Sequence, residues 1–321
     1  MKMAEHEIYF TSRKQMMLYR GQRIFTQVLL YAFLTLFGLF IVFPFFYMVV
    51  TSLKSEILYD SEAARKLISL VPQFESVYGL NDQGNFVRTW QLFDNYRIVL
   101  DSSNNFFVYY MNTIIVSVVS TAFTVVTAVL AAFAFARLEF KGKNVLFTII
   151  LATMMVPGEM MVITNFQTAA TWGWQNTYAA LIFVHGVSVF YIFYLRQTFQ
   201  QIPNELFLAA KVDGYGHFRY LWRVMVPIGM PTVVTIIILS LMGSWNAFIW
   251  PNLIASGTNP TFGHTMRLVS NGLMSLFQGE YSSEDTIKVA ASMVITLPLF
   301  VFFLIFRKFI MRGVSRSGIK G

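Results

Sequence analysis

Six stretches of this chain are long and apolar enough to demand removal from water as whole units: residues 24–50, 107–136, 144–165, 178–198, 228–250 and 287–310. A hydrocarbon core takes about 20 residues of helix to cross. Backbone in lipid must also satisfy its own N–H and C=O groups, which a helix does and an open strand cannot. The spacing therefore predicts an all-α membrane protein with six transmembrane helices. Residue usage agrees, since a chain that is 56% hydrophobic, 12% charged and of mean hydropathy +0.57 falls outside the range of soluble domains.

The charges orient those helices. With the segments alternating sides, 17 Lys and Arg residues share the side of the N-terminus and 7 lie opposite. Positive residues stay inside, so both termini are expected in the cytoplasm of a multi-pass cell-membrane protein. Residues 1–23, with Arg13, Lys14, Arg20 and Arg23, read as a cytoplasmic surface helix rather than a cleaved leader, because the first apolar run is too long for a signal core. Residues 24–310 form the membrane domain, with outer loops at 53–106 and 251–286, an inner loop at 199–227 and a basic tail at 311–321. The first outer loop is expected to be short helices or a solvated connection. The second, rich in Gly, Ser, Asn and Thr, is expected to be a flexible loop. A pI of 9.6 follows from the sidedness and attraction to anionic lipid, so no nucleic-acid partner is expected.

Few residues within the spans carry chemistry. Pro157 and Gly158 weaken the third span and Glu159 adds a charge, about 24 Å along a straight helix from Lys143. A carboxylate there calls for a cavity or a partner. Glu159 therefore reads either as pore-lining or as a structural or interfacial group. His185 in the fourth span reads as a neutral imidazole hydrogen-bonded between helices. Trp245 and Trp250 suit an aromatic belt at the headgroups, whereas the amide of Asn246 beside the Trp245 indole suits a hydroxyl-rich ring. With no cysteine, no phosphate-binding loop, no metal-ligand spacing and no acid–base pair, the chain is expected to be no enzyme by itself and to hold no cofactor or metal.

The stretch from Pro203 to Pro227 is different in kind. Pro203 and Asn204 start a short helix, Glu205 sits in its first turn and Gly214 closes it, giving a helix–turn–helix on the inner face. It resembles the coupling loop of ABC importer permeases, E-A-A-x-x-D-G-A followed by I-x-L-P. Ala209, Ala210, Asp213 and Gly214 match that pattern, and Val224, Val226 and Pro227 fill its end. Leu208 stands where the motif has glutamate and Tyr215 where it has alanine; Glu205, one turn before Leu208, offers a carboxylate in exchange. The basic turn at Arg137, Lys141 and Lys143, the Met111–Asn112–Thr113 run, the W-N pair and the tail resemble the carbohydrate-importing branch of these permeases, of the maltose and oligosaccharide type.

The resemblance implies a permease subunit that moves a carbohydrate inward by alternating access. Glu205, Leu208, Ala209, Ala210, Asp213 and Gly214 would couple to an ATPase, and Asn112, Glu159, Trp245 and Asn246 would lie on the substrate path. It also implies a second homologous permease subunit, two ATP-binding subunits that hold ATP and Mg, and an extracytoplasmic solute-binding protein. The alternative is an ion- or proton-coupled secondary transporter, which the scarcity of buried charges and of visible repeats disfavours.

Overall fold

A computed structural model describes residues 13–64, 69–80, 86–101, 105–278 and 283–315. Two compact units divide the chain, residues 1–92 and 93–321.

In the first unit, α1 (Arg13–Ser52) is a single helix of 40 residues containing Pro44. Its stretch Tyr19–Ser52, of hydropathy 2.4, is long and apolar enough to cross a membrane. The surface segment expected before residue 24 and the first span are thus one continuous helix from Arg13 onward, residues 1–12 lying outside the described ones. After α2 (Glu56–Ala64), β1 (Val77–Leu80) pairs antiparallel with β2 (Phe86–Trp90), Tyr78 opposite Arg88 and Gly79 opposite Val87. The chain is mostly helical, and this hairpin departs from the expected all-α fold and from both readings of the loop, short helices or a solvated connection. Its residues, Val77, Tyr78, Phe86, Val87, Thr89 and Trp90, are β-branched or aromatic, types that favour a pleated ribbon.

The chain between α1 and β1 is cinched by a buried ion pair. Lys54 has a fully buried side chain and donates to the Glu62 carboxylate at 2.5 Å and to the Ser69 carbonyl at 2.7 Å. Glu62 also accepts from the Ser69 backbone N–H at 3.1 Å and hydroxyl at 2.7 Å. Burial alone would raise the Glu62 pKa, but the hydrogen bonds from Lys54 and Ser69 outweigh it and hold the carboxyl below its ordinary 4.5. A depressed carboxylate contributes stability that is complete above its unfolded value and disappears as pH falls through the folded one. Protection of amides in residues 54–64 and 69–73 from hydrogen exchange is therefore expected to be flat above about pH 5 and to collapse below 4.5. In Glu62→Gln the collapse is expected to be gone and protection low at every pH, because a buried ammonium without its anion costs about 3 kcal/mol or more. A pH-independent wild type would show that the pair does not hold this segment.

The second unit opens with α3 (Asp94–Leu100) and α4 (Phe106–Arg137). The expected second span, 107–136, matches α4 to within a residue at each end. The third expected span does not run straight. Here α5 (Lys143–Ala152) passes through a 3-10 turn into extended backbone at Val156, and a second 3-10 turn leads into α6 (Val162–Thr171). The two halves, Lys143–Met155 and Gly158–Thr171, meet at 86°. Pro157 supplies no N–H for the ladder and Gly158 opposes helix, so the break falls where both stand together. The straight-helix distance from Lys143 to Glu159 fails for the same reason.

The fourth expected span is also two pieces, α7 (Tyr178–Phe183) and α8 (Val189–Gln200). Each has its own hydroxyl cap: Thr177 accepts from Ala180 N–H and Ser188 from Tyr191 N–H, both at 3.4 Å. Between them Gly186 is required, since a Cβ there would collide with the Phe123 ring of α4. Next come α9 (Asn204–Val212) and α10 (His217–Tyr220), which continues through a π-helical turn into α11 (Val226–Trp245) as one apolar run, His217–Trp245. After α12 (Ile249–Ile254) and α13 (Val269–Gln278), α14 (Asp285–Ser315) is the last, with Asp285–Arg307 apolar enough to span. Among the described residues four helices are long and apolar enough to cross a membrane, or five with the bent pair as one span.

Residues 252–285, expected as a flexible loop, are built instead, apart from 279–282, which lie outside the described residues. Met266, Leu268, Val269 and Asn271 are buried. Asn259 accepts from the Thr261 and Phe262 N–H groups, both at 2.8 Å, and donates to the Asn176 carbonyl at 3.1 Å. Asn271 accepts from Leu268 N–H at 2.7 Å and donates to the Pro251 carbonyl at 3.1 Å. Side-chain amides thus replace the ladder partners an irregular backbone lacks. At the centre of the unit α4 packs against both α8 and α11.

Candidate functional site

One candidate surface is the loop between α8 and α11. Asn204 to Val212 forms a helix whose Glu205, Leu208, Ala209 and Val212 recur at i, i+3, i+4 and i+7 and are all exposed, Val212 at 88%. Phe207 and Ala210 face the other way. Ala210 is 6% exposed within a core that includes Leu195, Phe199, Tyr220 and Met225, and the Phe207 ring lies 5.0 Å from that of the fully buried Tyr220. Ala210 therefore belongs to packing, whereas Glu205, Leu208 and Ala209 share one outward stripe. Phe218 of the following helix, α10, is also exposed, at 67%.

The end of α9 is fixed by a Schellman motif. Gly214 lies at φ +77, its N–H bonds the Lys211 carbonyl at 3.0 Å, and the Tyr215 N–H bonds the Ala210 carbonyl at 2.8 Å. Asp213 caps the helix and is exposed, and the Tyr215 side chain packs onto the core below. At the other end Arg137, the last residue of α4, reaches across to the turn that begins α9. Its guanidinium donates to the Phe199 carbonyl at 3.0 Å, to the Ile202 carbonyl, and over 3.5 Å to the Asn204 side chain. The sequence marks Arg137 only as part of a basic turn; its grip on a loop more than 60 residues away could not be read locally.

The second surface is a partly open cavity of about 290 Å³ lined by residues of α4, α7, α8, α11 and α12. Six hydroxyls line it: Ser120 and Thr124 from α4, Ser188 and Tyr191 at the start of α8, and Ser240 and Ser244 from α11. Ser120 and Ser244 lie 3.2 Å apart, oxygen to oxygen. Among the described residues the hydroxyls of Ser117 and Thr121, on the same stripe of α4, are buried without a hydrogen-bond partner. His185 lies in the break between α7 and α8, facing the cavity with its ring edge-on to Trp250 at 5.0 Å. A helix break at membrane depth is tolerated beside protein or a wet space, and this one borders both Phe123 of α4 and the hydroxyl-lined cavity. The imidazole makes a ring contact here rather than the expected interhelical hydrogen bond.

The residues expected on a substrate path do not gather at this cavity. Asn112 is 1% exposed and fully committed: it donates to the Thr265 and Arg267 carbonyls at 2.8 and 3.0 Å and accepts from the Tyr178 hydroxyl at 2.6 Å. Glu159 is exposed in the turn after the 86° bend. Trp245 is 7% exposed against Tyr110, and Trp250 is buried with its indole N–H on the Ala180 carbonyl at 3.1 Å, so neither forms the expected headgroup belt. Asn246 is exposed, and its amide donates to the Met242 carbonyl at 2.9 Å, capping α11.

Comparison with known proteins gives the family and the fold of the chain. The profile of the family described as binding-protein-dependent transport system inner membrane component matches residues 124–316. The arabinooligosaccharides transport system permease protein of Bacillus subtilis is 28% identical over 229 residues, 71% of this chain and 79% of that protein. The trehalose/maltose transport system permease protein of Thermococcus litoralis is 32% identical over 232 residues, 71% of this chain and 81% of that one. Among solved structures, a chain of a bacterial ABC transporter involved in the import of the acidic polysaccharide alginate superposes with a TM-score of 0.71 at 20% identity, covering 94% of this chain and 99% of its own.

Proposed function

We propose, from the premise that this chain belongs to the family of inner membrane components of binding-protein-dependent transport systems, that it is the translocation subunit of an ATP-driven importer of carbohydrate. Six segments cross the membrane in this reading, the bent α5–α6 pair and α7–α8 counting as the third and fourth, and both termini face the cytoplasm. A second, homologous permease subunit completes the path, two ATP-binding subunits hold ATP and Mg, and an extracytoplasmic solute-binding protein delivers the sugar. The carbohydrate class is supported by relatives whose names specify arabinooligosaccharides and trehalose or maltose.

The observation that carries the reading is the outward stripe of α9. A short helix that leaves Leu208 at 53% and Val212 at 88% exposure, while its far side is locked into the core, is a helix offered to a groove on another protein. Closure of the nucleotide subunits would carry α9 with them, and the membrane helices would then open alternately to either side. The absence of native cysteine makes the test direct. A single Val212→Cys is expected to react with an impermeant thiol reagent only from the cytoplasmic side and to cross-link to an ATP-binding subunit in native membranes. Labelling from outside the cell, or cross-links to no ATPase, would sink the reading.

A further inference from the structure

We infer that the hydroxyl-lined cavity is this chain's own subsite for one uncharged sugar ring, and that the cargo is a neutral rather than an acidic or phosphorylated carbohydrate. The inference rests on the reading of carbohydrate import and narrows it. The cavity's size comes first: about 290 Å³, close to the lower end of the range of about 300–1,000 Å³ for small-molecule sites, gives room for a single ring. The chemistry of the wall comes second. Each of its hydroxyls both donates and accepts, which is what a sugar hydroxyl needs from its partner. His185, without a hydrogen bond among the described residues, offers one more donor or acceptor whichever nitrogen holds the proton.

The third element is the apolar part of the wall. Trp250 presents its indole beside His185, and Leu181 and Ile182 continue the surface; a sugar has C–H faces as well as hydroxyls, and such a wall accepts them. Charge decides the class. Among the described residues the lining includes no Asp, Glu, Lys or Arg. A carboxylate or phosphate taken from water into this wall would lose its hydration with no cation in return, while a neutral ring exchanges one set of hydrogen bonds for another. Neither Asn112 nor Trp245 contributes to this lining, so the subsite is distinct from the path suggested by the sequence.

The test uses the assembled transporter with its solute-binding protein and ATP-binding subunits in proteoliposomes. Probes are tritiated maltose, trehalose, lactose and arabinotriose on one side, and sn-glycerol 3-phosphate and alginate trisaccharide on the other. At least one neutral probe is expected to accumulate and the anionic ones are not. Ser244→Leu, which fills the cavity and removes a hydroxyl, is expected to lower that uptake by about tenfold or more. Ser240→Cys keeps the side chain's size and guards against a misfolded leucine variant: its thiol is expected to react with a methanethiosulfonate reagent, and the transported sugar to slow that reaction by about fivefold or more, as occupancy of the site requires. Accumulation of an anionic probe, or neutral uptake insensitive to Ser244→Leu with Ser240→Cys unprotected, overturns the subsite and leaves carbohydrate import standing. An assembled complex that moves no carbohydrate of either kind overturns the import reading and the subsite with it.

Discussion

Replacing Gly214 by proline is expected to leave the protein inserted in the membrane yet to lower uptake by about a hundredfold while ATP hydrolysis continues. The argument is local. Residue 214 sits at φ +77, and its N–H bonds the Lys211 carbonyl at 3.0 Å. Proline fixes φ near −65° and has no N–H, so it loses both the conformation and the bond, at about 3 kcal/mol or more, equivalent to roughly a hundredfold in the population of the capped α9. Nothing lies within 4 Å of the position a Cβ would take, so alanine meets only backbone strain of about 1–2 kcal/mol. Asparagine, which tolerates the left-handed region, should fall nearest to wild type. Uptake per ATP hydrolysed, measured in proteoliposomes across glycine, asparagine, alanine and proline, should fall in that order. Equal transport by all four would show that the cap of α9 has no part in coupling.

Arg137→Ala is expected to be the second most damaging change, and again through coupling rather than insertion. The guanidinium occupies the Phe199 and Ile202 carbonyls together, and hydrogen bonds to charged groups contribute about 1.5–3 kcal/mol each. Truncation takes the guanidinium from the Ile202 carbonyl and leaves the Phe199 carbonyl with the backbone N–H of Ile202 at 3.4 Å, loosening the entrance to α9. Lysine keeps the charge but not the planar fork, so Arg137→Lys should recover only part of the loss. The 3.5 Å approach to Asn204 is too long to matter much, and Asn204→Ala should be nearly silent alone. Cross-linking from Val212→Cys reports the mechanism: in Arg137→Ala it should drop together with uptake. Full cross-linking and full uptake in that variant would contradict the clamp.

Much of the membrane architecture was legible because apolar length is a local property. The run that became α4 was placed to within a residue, and the helix start at Pro203–Asn204 and its stop at Gly214 are local signals that the structure follows. What escaped was long-range or subtle. Pro157 and Gly158 announced a weak point, but not the 86° turn they allow. The break at Gly186 depends on the approach of Phe123 from another helix. The hydrogen bonds of Asn112 could not be foreseen either, because its partners, the carbonyls of Thr265 and Arg267, lie over 150 positions away. The cavity did leave a trace: Ser117, Ser120, Thr121 and Thr124 recur at i, i+3, i+4 and i+7 on one face of an otherwise apolar helix. That trace was missed because single hydroxyls barely lower hydropathy. Its counterpart, Ser240 and Ser244 on α11, gains meaning only once the two helices touch.

Of the four span-length helices, α4 alone contains neither proline nor glycine; α1, α11 and α14 carry Pro44, Pro231 and Pro298. Prolines are where long helices bend. Three of the four thus have a built-in joint, and α4 is a strut, with Thr124 at the cavity about 20 Å along it from Arg137. A tilt of only about 5° over that length shifts one end by about 2 Å, on the scale of the helix displacements by which proteins switch state. In the proposed importer, a push arriving at the guanidinium would reach the cavity wall along a helix with no proline joint in between.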